Sequence, residues 1–173
     1  SLLFRSMFAE DGFINNVLMG LHIIDDPIPW LMDTFWAKVV IILAITWRWT
    51  GYNMIFFLSS LQNIDEDIYQ AAEIDGAGAW DKFWKITVPL LKPVILLTAI
   101  MSTSGTLQLF DEVVNITNGG PNNSTMTISH YIYNLSFKYS PDFGYATAVS
   151  FVVFVLIAVL SLLQMKVSGD KND

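Results

Sequence analysis

The chain contains no cysteine, so neither disulfides nor thiolate metal sites can organise it. Charge is scarce too: 14% of residues are Asp, Glu, Lys or Arg, against 53% that are hydrophobic. Basic residues are the rarer sign, nine against sixteen acidic, and the formal charge of -7 argues against nucleic acid, whose phosphates need a basic face. Histidine occurs only at His22 and His130, far apart in the chain, and no histidine metal centre is expected. No phosphate-cradling loop is evident either. Gly76-Ala77-Gly78 lacks the lysine and the preceding strand that such a loop requires, so no nucleotide cofactor is expected in this chain.

What is present is long apolar sequence. Phe143 to Met165 carries no charge, and neither does Pro93 to Phe110. Crossing hydrocarbon takes roughly 20 apolar residues. A third run, Phe35 to Leu61, is interrupted by Lys38 and Arg48 but is rich in Val, Ile, Leu, Phe and Trp. We expect an all-α, polytopic transmembrane helical bundle in which Arg48 faces protein or water. Leu2 to Phe8 reads as the end of an earlier span, so the chain looks like part of a longer protein. The expected layout is a single membrane domain: end of a span 1–8, outer loop 9–34, span 35–61, cytoplasmic loop 62–92, span 93–110, outer loop 111–142, span 143–165 and cytoplasmic tail 166–173.

Sidedness follows from lysine. Lys82, Lys85 and Lys92 lie in or beside the first loop, and Lys166 and Lys171 follow the last span, two crossings later. The positive-inside rule makes that side cytoplasmic, against only Lys138 and the boundary residue Lys38 opposite. The outer segments carry breakers: Pro27 and Pro29 in the first, Asn118-Gly119-Gly120-Pro121-Asn122-Asn123 in the second. Thr125 to Phe137 has the pattern of an amphipathic helix, with Met126, Ile128, Tyr131, Ile132 and Leu135 apolar. Trp30, Trp36, Trp47 and Trp49 suit membrane interfaces, although the last two could pack inside a bundle.

The cytoplasmic insert is polar and helix-forming between apolar runs. Asp65 can cap a helix start and Gly76 can stop it, which predicts a short helix followed by a second. Alanines at 71 and 72 let another backbone approach. An ordinary amphipathic helix closing a loop would show much of the same pattern. Within the spans, polar side chains are costly and usually face the interior. Arg48, Tyr52 and Asn53, with Ser102, Thr103, Ser104, Thr106 and Gln108, are therefore candidates for a pathway. Thr98, Ser102 and Thr106 continue one helical row. Helix packing accounts for the same small hydroxyl residues. Tyr52 and Ser102 are the preferred ligands among them, because hydroxyls exchange bonds readily with a polar solute.

The insert also carries a spaced motif: Ala71-Ala72, three residues, Gly76, nine residues, Ile86, one residue, Val88-Pro89. It resembles the loop of the integral membrane permeases of binding-protein-dependent ABC importers, whose pattern has Glu where Gln70 stands and Leu where Val88 stands. Asp75-Gly76-Ala77, Pro89-Leu90-Leu91-Lys92-Pro93 and Asn118-Gly119-Gly120-Pro121 resemble the sugar-transport branch, with the maltose-type first permease the nearest type. The resemblance covers nearly the whole chain and implies the C-terminal part of a permease of the type I importer fold. It implies half of a translocation path in a bacterial or archaeal inner membrane, paired with a second permease subunit and fed by an extracytoplasmic sugar-binding protein. It further implies that Tyr69, Gln70, Ala71, Ala72, Glu73, Asp75, Gly76 and Ala77 dock into a separate cytoplasmic ATP-binding subunit, which hydrolyses the ATP. Glu73, one turn from Gln70, could supply the charge that Gln70 lacks. Two rivals remain open: a permease for another solute such as glycerol phosphate, favoured by Arg48, and a non-transporting membrane anchor that recruits a cytoplasmic partner.

Overall fold

A computed structural model describes residues 1–169, all of them helix, turn or irregular backbone with no strand among them. Lys171, expected to mark the tail, lies outside the described residues. Three helices are long and apolar enough to cross a membrane: Thr34–Gln62, Ala79–Leu107 and Phe143–Val167. The chain is thus all-α and polytopic. It divides into two compact units, residues 1–48 with 105–156, and residues 49–104 with 157 onwards.

The first unit holds α1 (Leu2–Met7), α2 (Phe13–Gly20), the start of α3 (Thr34–Gln62), α7 (Asp111–Ile116), α8 (Ile128–Tyr133) and the start of α9 (Phe143–Gly169). Its core joins Phe8, Trp30, Val40, Ile41, Ala44, Leu109, Val113 and Ile116. Trp30, expected at an interface, is instead buried there, edge-on to Phe8 and Trp36. The reason is Asn15, which is fully buried. Its amide donates to the carbonyls of Glu10 and Ile28, while its oxygen accepts from the Ile28 N–H and, at 2.8 Å, from the Trp30 indole. A buried amide must satisfy both ends, and this one does so by tying the Pro27–Pro29 segment to α2.

Side-chain caps set several helix starts. Asp33 accepts from the Phe35 and Trp36 N–H groups ahead of α3, and Asp142 accepts from Tyr145 at the start of α9. Thr127 caps α8, so the expected helix over 125–137 begins at Ile128 and continues through a π-helical stretch, Asn134–Lys138. Before it, the chain turns through left-handed backbone at Asn118, Gly119, Asn122 and Asn123. Gly119 is required by space as well: a Cβ there would come within 2.9 Å of the His130 ring.

The second unit holds the rest of α3, then α4 (Glu66–Ile74), α5 (Ala79–Lys82), a π turn (Phe83–Thr87), most of α6 (Val88–Leu107) and the remainder of α9. The expected span start at Pro93 needs correcting. Pro93 lies inside α6, and α5, the π turn and α6 run on as one helix that ends at Leu107 rather than 110. Proline removes an N–H and crowds the carbonyl four residues back, a break that soluble helices avoid but membrane helices absorb by local widening. Here Val88 N–H reaches five residues back to Phe83 O, just ahead of Pro89.

Candidate functional site

The insert folds as its sequence dictates locally. The Asp65 carboxylate accepts from Asp67 N–H at 3.1 Å and starts α4, with Glu66 and Asp67 in the first turn where the helix dipole favours acids. Gly76, with φ of 80°, ends it: Ala77 N–H bonds to Ala72 O and Gly76 N–H to Glu73 O, the paired bonds of a Schellman stop. Nothing lies within 4 Å of a Cβ built on Gly76, so glycine is demanded by the backbone alone.

Of the eight residues expected to dock, Gln70, Ala71, Glu73, Asp75 and Gly76 are exposed, and Tyr69, Ala72 and Ala77 are half-buried. Two of them turn toward the chain itself. Tyr69 Oη lies 2.8 Å from Thr87 Oγ1, at the end of the π turn, and Thr87 in turn donates to Lys82 O. Glu73 is bound by Lys82 at 2.5 Å, and that hydrogen bond and charge hold its carboxyl below the usual range. Glu73 therefore does not stand free to replace the missing acid at 70. Sequence reasoning passed over Ile74, which is 87% exposed; an isoleucine with no large apolar neighbour at helical spacing on its own face was the available signal. Trp80, Phe83 and Trp84 stack edge to edge beside it in sequence and are also exposed.

The pathway candidates separate into pairs. In the second unit, Asn53 and Ser102, 49 positions apart, meet at 3.1 Å, and Gln164 donates to Thr103 at 2.9 Å. Tyr52 is exposed and stacks edge-on with Trp49 and Phe56. Thr98 is buried and donates back to Val94 and Ile95, a packing role, so the row Thr98, Ser102, Thr106 does not act as one face. Ser104 and Ser102 are half-buried, whereas Thr106 and Gln108 are exposed. A groove of about 480 Å³ in this unit is walled by Ile95, Leu96, Leu160 and Leu163 with Lys92 and Gln164; Tyr52, Asn53 and Ser102 are not part of it.

Arg48 belongs to the first unit and has found an acid that the sequence did not offer as its partner. Its guanidinium lies 2.5 Å from Glu112, whose side chain is 8% exposed. Arg48 is the fifteenth of 29 residues in α3, so the start of α7 sits level with the middle of a membrane-length helix. In the first turn of α7, Glu112 and Val113 are buried, and Val113 joins Val40, Ile41 and Ala44 of α3 in the core. The second Glu112 oxygen has no partner among the described residues.

Membrane-length helices, a capped and exposed helical insert between two of them, and polar side chains paired within the chain at Asn53–Ser102, Thr103–Gln164 and Arg48–Glu112 define a multi-pass membrane protein. The chain belongs to the family described as the binding-protein-dependent transport system inner membrane component, which matches residues 3–168. It is 60% identical to the lactose transport system permease protein LacF of Rhizobium radiobacter, over 99% of this chain and 58% of that protein. It is 34% identical to the arabinooligosaccharides transport system permease protein AraP of Bacillus subtilis, over 97% of this chain and 54% of that one. Among solved structures it resembles a bacterial ABC transporter involved in import of the acidic polysaccharide alginate, with a TM-score of 0.84 at 23% identity, covering 99% of this chain and 59% of that one. The chain spans a little over half the length of the curated relatives it matches.

Proposed function

We propose that the protein is a permease subunit of an ATP-driven sugar importer. It forms half of a translocation path with a second permease subunit, receives sugar from an extracytoplasmic binding protein, and couples to a separate cytoplasmic ATPase through α4. The observation that carries this reading is the insert: a short helix, capped at Asp65 and stopped at Gly76, that leaves Gln70, Ala71 and Ile74 exposed. Such a surface between membrane-length helices suits a soluble partner. Its relatives' roles in lactose and arabinooligosaccharide transport point to sugars. ATP closure of the ATPase pair would draw the docking helices together and switch the spans between two arrangements.

The glycerol phosphate alternative rested on Arg48. Its bond to Glu112 neutralises that charge locally, which favours an uncharged solute over an anion. Copurification of the full-length permease with its ATPase, followed by lactose uptake into cells with and without the binding protein, tests the reading. Stable complex and binding-protein-dependent uptake are expected. A permease that assembles no ATPase would leave only the anchor reading.

A further inference from the structure

Tyr69 and Glu73 are four residues apart and so share one face of α4, while Gln70, Ala71 and Ile74 occupy another. The first face is tied to the chain, although the Glu73 side chain itself stays 64% exposed. Tyr69 is half-buried against Thr87, and Glu73 closes on Lys82, whose side chain is only 20% exposed. The two ties meet the following helix at different heights: Lys82 ends α5, and Thr87 ends the π turn immediately before Val88 and Pro89 open α6. A single tie would let α4 swing about it. Two ties, with the short Gly76–Gly78 connection as a third, fix its direction relative to α6.

We infer that Tyr69 and Glu73 are positioning residues, a latch that joins the docking helix to the base of α6 so that displacement of α4 moves the span rather than the loop. This deepens the proposed function and rests on it for the word coupling. The outward face is what remains for the partner. In the latch, the Thr87 hydroxyl that meets Tyr69 Oη is itself held by donating to the Lys82 backbone carbonyl.

The test uses the full-length permease with any cysteine beyond this chain replaced by serine, and with spin labels at Glu66→Cys and Leu90→Cys, both exposed positions outside the latch. In the permease alone, Glu73→Lys and Tyr69→Phe should broaden the label distance distribution, and the swap Glu73→Lys with Lys82→Glu should narrow it again. In the assembled complex, Glu73→Lys should raise ATP hydrolysed per lactose imported by up to about fivefold, the range of an exposed ion pair, with ATPase copurification unchanged. The swap should restore that ratio. Unbroadened distances in both single variants overturn the latch, as does loss of copurification in Glu73→Lys that the swap fails to recover, which would assign Glu73 to the ATPase contact. If the wild-type permease assembles no ATPase, the proposed function fails, and the distance measurement still decides the latch.

Discussion

Splitting the Arg48–Glu112 pair should cost more from one side than from the other. The contact is 2.5 Å, with 47% of the Arg48 side chain exposed and 8% of the Glu112 side chain. Arg48→Met keeps the stem and strands a carboxylate that is more than nine-tenths buried, a loss of about 3 to 5 kcal/mol for a broken buried pair. Glu112→Leu strands a guanidinium that is about half exposed. If that half meets water the loss is about 1 kcal/mol or less; if it meets hydrocarbon, insertion scales put it at ~2.5 to 3.5 kcal/mol. The double variant Arg48→Met with Glu112→Leu removes both charges and should return to within about 1 kcal/mol of wild type, since apolar replacement of a buried pair is often neutral. Unfolding of the purified full-length permease by denaturing detergent, followed as a double-mutant cycle, measures all three. Additive losses in the double variant, or a larger loss for Glu112→Leu than for Arg48→Met, would refute the argument from burial.

Gly76→Ala should lose about 1 to 2 kcal/mol locally, the cost of left-handed backbone with a Cβ, because open space around the position offers no clash to add; amide exchange at Ala77 should accelerate and ATPase copurification fall, and unchanged values would remove the Schellman stop from the docking role. Asn15→Leu strands the Trp30 indole and both Ile28 peptide groups at about 1 to 3 kcal/mol each, so the permease should lose thermal stability sharply; a melting temperature equal to wild type would contradict the buried amide's role. Burial, and then the Lys138 charge, push His130 below its ordinary 6.5. The unfolded chain therefore takes up the proton first: the stability contribution is complete above about pH 6.5 and is lost as pH falls through the lowered value. His130→Gln should flatten that acid slope, and a slope unchanged by the substitution would refute it.

The charge-free runs were legible because hydrocarbon asks only for length and apolarity, which residues 143–165 display without reference to anything else. α4 was legible because its cap and its stop are local chemistry at Asp65 and Gly76. The expected start of the second span at Pro93 follows from the charge on Lys92 before it, but a charge-free run shows where hydrocarbon can lie and not where the helix begins, and the helix continues back through Lys92 to Ala79. Trp30 was misplaced because its indole is drawn inward by Asn15, fifteen residues earlier, and no pattern in either segment announces that bond. Asn53 with Ser102 and Arg48 with Glu112 fall in the same class. Each residue was visible as polar and out of place, and its partner depended on how the chain folds back.

The same distinction bears on the proposed docking of α4. Counting residues along the motif made Glu73 the natural stand-in for the acid missing at Gln70, but Lys82 has taken it. With Tyr69 also turned inward, the outward face retains an amide at Gln70, a methyl at Ala71 and the nearly bare side chain of Ile74. Fully burying an isoleucine stabilises a contact by about 1.5 to 3 kcal/mol, more than the ~0 to 1 kcal/mol of a surface ion pair. Loss of the motif's charge therefore need not weaken docking. In the proposed complex it would shift docking from a salt-sensitive contact to one governed by apolar burial, with Ala71 keeping the helix surface low and Ile74 supplying the side chain that is buried.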